Sequence, residues 1–101
     1  MAVYYLMIEA VPKPDNPESR ELGGAYVNCW VKAVSLKAAE IKAREYIDAE
    51  NWVYMKTEEA FIPDRRAYLD EPDSMKCYDA ACENGISAVF YTWPVHEGGI
   101  N

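Results

Sequence analysis

The chain has 101 residues, of which 50% are apolar and 13% aromatic, enough to bury one hydrophobic core without disulfides or metals. No apolar run approaches the roughly 20 residues of a membrane span, and the apolar N-terminus lacks the basic flank of a signal peptide, so we expect a cytoplasmic protein that does not enter membranes. The net charge of −7 and the scattered basic residues argue against nucleic-acid binding.

Residues Ala2–Val11 alternate as a first strand that is apolar on both faces, which predicts either a central position in a sheet or a strand whose outer face meets something else. The segment Pro12–Leu22 carries three prolines among polar residues and predicts a solvated loop. Gly23 and Gly24 follow. A phosphate-binding glycine turn is disfavoured there, because a strand and not a helix comes next.

The chain is organised around a strand, a helix and a second strand, the first being Gly24–Val34. This strand alternates strictly, so its side chains divide between two faces. One face is small and apolar, which suits close packing against a helix, and comprises Ala25, Val27, Cys29, Val31 and Ala33. The other face is aromatic and polar and comprises Tyr26, Asn28, Trp30 and Lys32.

The helix is predicted over Leu36–Glu50, with Ser35 as its N-cap and Asn51 as its stop. Its apolar stripe consists of Leu36, Ala39, Ala43, Tyr46 and Ile47, while Ile41 projects among the charged residues. The second strand, Trp52–Ile62, is interrupted by Glu58 and Glu59. These two residues form either a bulge or a tight turn, and a turn would create the βαββαβ order of a ferredoxin-like fold.

Asp64 is placed to cap a short helical turn that runs through Leu69. A second helix begins near Pro72 and ends at Asn84-Gly85, and Ile86–Trp93 is the last strand before the polar tail Val95–Asn101. The sequence therefore predicts one α+β domain spanning residues 1–101. We expect a two-layer sandwich with one mixed or antiparallel sheet of four to five strands, two main helices on one face, and a ferredoxin-like topology as one option.

Five aromatic residues share the strand parity opposite the small-residue face, and Tyr91 or Trp93 can join them. The five are Tyr5, Tyr26, Trp30, Trp52 and Tyr54. If helices cover only the small face, this aromatic face needs another cover. The cover is a protein partner, a segment of the same chain, or a small molecule in a groove.

Polar groups near the aromatic face are Glu58, Glu59 and the single histidine, His96. They are candidates for polar groups in a ligand pocket, and their alternative is solvation in a bulge and a tail. Neither His96 nor the three cysteines form a metal-ligand spacing, so we predict no metal, no cofactor and no catalytic residue.

These patterns favour an acidic, non-enzymatic interaction module that forms a homodimer or binds another protein through the aromatic face. One alternative is a small enzyme or ligand-binding domain with an aromatic-lined pocket and Glu58 and Glu59 as its polar groups. Another is an acidic immunity or inhibitor protein for a basic toxin, which only the net charge of −7 supports.

Overall fold

The computed structural model describes residues 1–95, and the predicted tail beyond Val95, including His96, lies outside them. The described residues form four strands and two helices: β1 (Ala2–Pro12), β2 (Leu22–Ala33), α1 (Leu36–Ala49), β3 (Trp52–Phe61), α2 (Pro72–Asn84) and β4 (Ile86–Pro94). Short 3-10 helices occupy Pro17–Arg20 and Arg65–Tyr68.

The strands form one open antiparallel sheet in the order β3-β1-β2-β4. The α+β class with a single antiparallel sheet of four strands is therefore confirmed, and β1 is central as predicted. The β1–β2 pairing runs without interruption from Ala2 opposite Ala33 to Ala10 opposite Ala25. This pair forms the middle of the sheet.

The small-residue face of β2 packs against α1, as the alternation predicts, and this sheet–helix pair is the two-layer unit that holds the main core. Ala39, Ala43 and Ile47 of α1 are fully buried. Alanines on both the helix and the sheet let the two surfaces approach closely. The larger Leu6 and Ile8 of β1 fill the remaining space in the same core.

The prediction that both helices share one face is wrong, because α2 lies on the opposite face of the sheet. Its Ala81 is fully buried and packs with Val3 and Trp30, whose side chains point away from α1. The physical reason is the size of Trp30, which is only 3% exposed and needs a cover that α1 cannot supply from the other side.

Glu58 and Glu59 lie inside β3, so the bulge interpretation is confirmed and the turn is wrong. Without that turn the ferredoxin-like arrangement is not confirmed. The β1–β3 pairing contains two irregularities, one between Met7 and Ile8 and one between Glu9 and Ala10. Each inserts an extra residue into β3 and changes which of its side chains share a face.

The helix ends agree with the sequence signals. Ser35 accepts a hydrogen bond from the Ala38 N–H, and Asp64 accepts one from the Arg66 N–H. Gly85 follows α2 with a φ of 94°, and Asn51 follows α1 with a φ of 70°. Both residue types tolerate this left-handed conformation, so α2 ends at Asn84 as predicted and α1 ends at Ala49, one residue before the predicted Glu50.

The segment predicted as a solvated loop is instead anchored to the domain through Asn16, which is 6% exposed. Its amide nitrogen donates to the Asn51 carbonyl at 2.9 Å, and its side-chain oxygen accepts from the Glu18 N–H. A single buried asparagine thereby caps the 3-10 helix and ties it to the turn between α1 and β3.

Burial raises the pKa of the Cys29 thiol from 9.0 to about 12. The folded chain then holds a proton that the unfolded chain loses, so we expect stability to fall as pH rises from 9 to about 12. One such group contributes a slope of at most about 1.4 kcal/mol per pH unit. The free energy of unfolding, measured with urea at several pH values in this range, should fall less steeply with pH for Cys29→Ala than for the parent. Cys82→Ala, which removes an exposed thiol, should keep the parent slope, and equal slopes for all three proteins would contradict the prediction.

Candidate interaction surface on the open sheet face

The second face of the sheet is divided into a half that α2 covers and a half that lies beyond α2 and is partly exposed. We call the second half the open sheet face. Residues opposite each other on neighbouring strands point to the same side, so the register defines its members. They form three rows across the sheet: Glu59, Met7, Asn28, Val89; Lys56, Glu9, Tyr26, Tyr91; and Val53, Val11, Gly24, Trp93.

The apolar part of the open sheet face centres on aromatic rings. Tyr26 is 39% exposed, Tyr91 is 56% exposed, and Val53 at the far edge is 38% exposed. The ring of Tyr26 lies 5.1 Å from that of Trp93, at 56° to it, which is a favourable tilted contact. Large side chains are thus packed against one another while their outer surfaces meet solvent.

Gly24 has a packing role beneath this patch. The indole of Trp93 lies directly over Gly24, and a Cβ atom there would collide with the ring. Glycine is needed so that the Trp93 ring can lie against the sheet, a steric role that accounts for Gly24 without a phosphate ligand.

Asn28 lies at the border between the open sheet face and the covered half, between Met7 and Val89 on the neighbouring strands. Its side-chain oxygen is buried and has no hydrogen-bond partner among the described residues. Leaving such an acceptor unpaired costs about 1–3 kcal/mol. The described residues therefore leave one buried acceptor unpaired beneath the surface of this face.

Charges on the open sheet face are few and of both signs: the carboxylates of Glu9 and Glu59 and the ammonium of Lys56. Glu58 is the extra residue at a bulge, and its carboxylate lies 3.5 Å from Lys56 Nζ. Burial raises the pKa of Tyr5 to about 12, and the nearby charge of Glu59 adds to the shift. Glu58 and Glu59 are exposed, and neither lines any of the four best-formed hollows of the described residues.

The covered half contains Trp30 and Tyr5. The Trp30 indole N–H donates to the Tyr68 hydroxyl at 3.1 Å, and its ring lies 5.3 Å from that of Tyr5. Tyr68 belongs to the 3-10 helix that precedes α2, so the chain covers this half of the aromatic face itself. Among the five predicted aromatics, Tyr26 alone belongs to the open sheet face.

Trp52 and Tyr54 lie on the α1 side, so their predicted place beside Trp30 is wrong. Register explains this, because Tyr54 pairs with Ala10 and therefore shares the face of that buried alanine. Trp52 reaches across the sheet to Phe90, 5.4 Å between ring centres. Beside these rings is an open hollow of about 220 Å³ that also includes the carboxylates of Glu18 and Glu50. It is smaller than the roughly 300–1,000 Å³ of typical ligand sites.

The structure thus separates residues that the sequence grouped together. Trp30 and Trp52 are on opposite faces, and His96 lies outside the described residues. Asn28 and Val53 belong to the open sheet face but were not predicted as site residues. The alternation of β2 already placed Asn28 on the face of Tyr26, whereas Val53 required the β1–β3 register.

Within residues 1–95 no group of three or more potential metal ligands converges, and none of the helices is long and apolar enough to cross a membrane. The fold and the surface define an α+β domain in which α1 covers one face of the sheet. Helix α2 covers about half of the other face. Comparisons with family models, curated proteins and solved structures gave no significant match.

Proposed function

We propose that the protein is a self-associating interaction module that packs its open sheet face against a second copy. The observation that carries this is the exposed patch around Tyr26, Tyr91 and Trp93, which persists although the chain covers the Trp30 half of the same face. Contiguous aromatic surface of this kind is typical of contact sites, since tyrosine and tryptophan are enriched at the centres of protein interfaces.

Charge supports a second copy as the occupant. Two chains of net charge −7 repel each other over most of their surfaces. On the open sheet face the three charged groups are Glu9, Glu59 and Lys56, so repulsion is small there and a two-fold arrangement can pair unlike charges. The three unpaired cysteines support a reducing compartment, and we place the module in the cytoplasm.

The two alternative functions have less support. The pocket version needs the predicted aromatic residues to line one cavity with Glu58 and Glu59, and Trp30 and Trp52 lie on opposite faces of the sheet. The acidic-inhibitor version is supported by the net charge alone. No contact among the described residues favours either one.

The test is sedimentation equilibrium from micromolar to millimolar concentration. The parent protein should pass from the 11.5 kDa monomer to a larger species. The double variant Tyr26→Ser/Val53→Ser removes apolar area from the middle and one edge of the open sheet face. We expect it to weaken association at least tenfold, or about 1.4 kcal/mol.

Ile41→Ser is the matched control, because Ile41 is 51% exposed on α1, away from the open sheet face. It should associate as the parent does. A parent that stays monomeric throughout, or a double variant that associates as tightly as the parent, would refute the proposed function.

A further inference from the structure

The outer edge of β4 carries unpaired backbone groups, and the register identifies them. The Lys32 N–H donates to the Gly85 carbonyl at 2.8 Å, which makes this a hydrogen-bonded pair of the β2–β4 ladder. Such pairs alternate with non-bonded ones along an antiparallel ladder. The register is regular from Val31–Ile86 to Gly24–Trp93, so every second residue of β4 has its N–H and C=O pointing away from β2. These residues are Ile86, Ala88, Phe90 and Thr92.

The two edges of the sheet differ in how they discourage pairing. The edge strand β3 has two irregularities in its pairing with β1 and carries Lys56, Glu58 and Glu59. Bulges and charges are the usual features that keep an edge from joining another sheet. By contrast β4 has no charged residue, and its pairing is regular between Ile86 and Trp93. Of the two edges, β4 alone is suited to accept another strand.

We propose that β4 pairs antiparallel with β4 of a second copy, about a two-fold axis at Val89. The two sheets then form one continuous eight-stranded sheet, twice the four strands of a single chain. In this register Ile86 is opposite Thr92 of the second copy, and Ala88 is opposite its Phe90. Each of these residues has its N–H and C=O directed outward, so the register pairs every outward group from Ile86 to Thr92.

Side-chain size and helix position support a second copy as the occupant. The register places the small Ala88 beside the large Phe90, and the same complementarity recurs across the axis. Helix α1 packs on β1, β2 and β3, which leaves Ile86 and Phe90 of β4 only partly buried on that side. A second β4 would cover part of both side chains. This contact goes beyond the proposed function because it uses neither Tyr26 nor Val53.

The test is amide hydrogen exchange by NMR on the full chain at low and high concentration. The amides of Ala88 and Phe90 should exchange rapidly when dilute and become at least tenfold slower when concentrated. The amides of Val89 and Tyr91 point to β2 and should be protected at both concentrations.

Two variants probe the same edge. Ala88→Pro removes an outward N–H without breaking a bond to β2, and Thr92→Lys adds a charge at an exposed edge position. Both should lose the concentration-dependent protection and associate at least tenfold more weakly. Met55→Lys adds the same charge on the opposite edge strand, at a residue 51% exposed, and should behave as the parent does.

The outcomes separate the two contacts. Ala88 and Phe90 amides that stay unprotected at high concentration overturn the edge pairing. If Tyr26→Ser/Val53→Ser still weakens association in that case, the proposed function stands without it. If instead the edge amides are protected and the double variant associates normally, the edge pairing stands and the open sheet face is not the self-association site. If Ala88→Pro fails to fold, Thr92→Lys decides, and a folded Thr92→Lys that retains the protection overturns the pairing.

Discussion

We expect Trp30→Ala to lower the free energy of unfolding by about 3–5 kcal/mol, the usual cost of emptying a large aromatic site in a core. Trp30 is 3% exposed and lies between the sheet and α2. Truncation also leaves the Tyr68 hydroxyl without the indole donor that it accepts from at 3.1 Å. Because Trp30 packs directly with the buried Ala81 of α2, the variant should loosen the helix as well as destabilise the domain.

Tyr26→Ala is the matched control for Trp30→Ala. Tyr26 is four residues before Trp30 on the same strand and points to the same face, but it is 39% exposed. Its truncation should cost no more than about 1 kcal/mol, since part of the ring already meets water. Urea unfolding followed by circular dichroism measures both. Equal losses for the two variants would contradict the division of the aromatic face into a covered and an open half.

The second large effect is expected for Ile47→Ala in α1, which should cost about 2–5 kcal/mol. Ile47 is fully buried in the core between α1 and the small-residue face of β2. The other members of that core are themselves buried and closely packed, so they fill the space only in part and a cavity remains.

Ile41→Ala makes the identical chemical change six residues earlier on the same helix. Ile41 is 51% exposed, so its loss should change the free energy of unfolding by less than about 0.5 kcal/mol. The difference between the two isoleucines isolates burial from helix propensity. A costly Ile41→Ala would mean that its exposed side chain is covered in solution, for instance by a second chain.

Much of the local structure followed from the sequence because its signals act over a few residues. The alternation of β2 identified the face that α1 covers, and Ser35, Asp64, Pro72 and Gly85 marked helix ends through their own hydrogen-bonding and backbone preferences. The apolar character of β1 on both faces likewise predicted its central place in the sheet. Such features depend on neighbours along the chain, which a sequence displays directly.

Three features were decided only by tertiary packing. Which face α2 covers depends on which face is still exposed once α1 has packed against the sheet. Trp30 lies on that remaining face. The faces of β3 depend on its register with β1, and two bulges shift that register without altering the composition. Alternation places Trp30 and Tyr26 on the same face of β2. Trp30 is buried and Tyr26 is exposed because α2 covers only the part of that face that contains Trp30. Contacts between residues far apart in the chain carry this information, and local periodicity does not contain it.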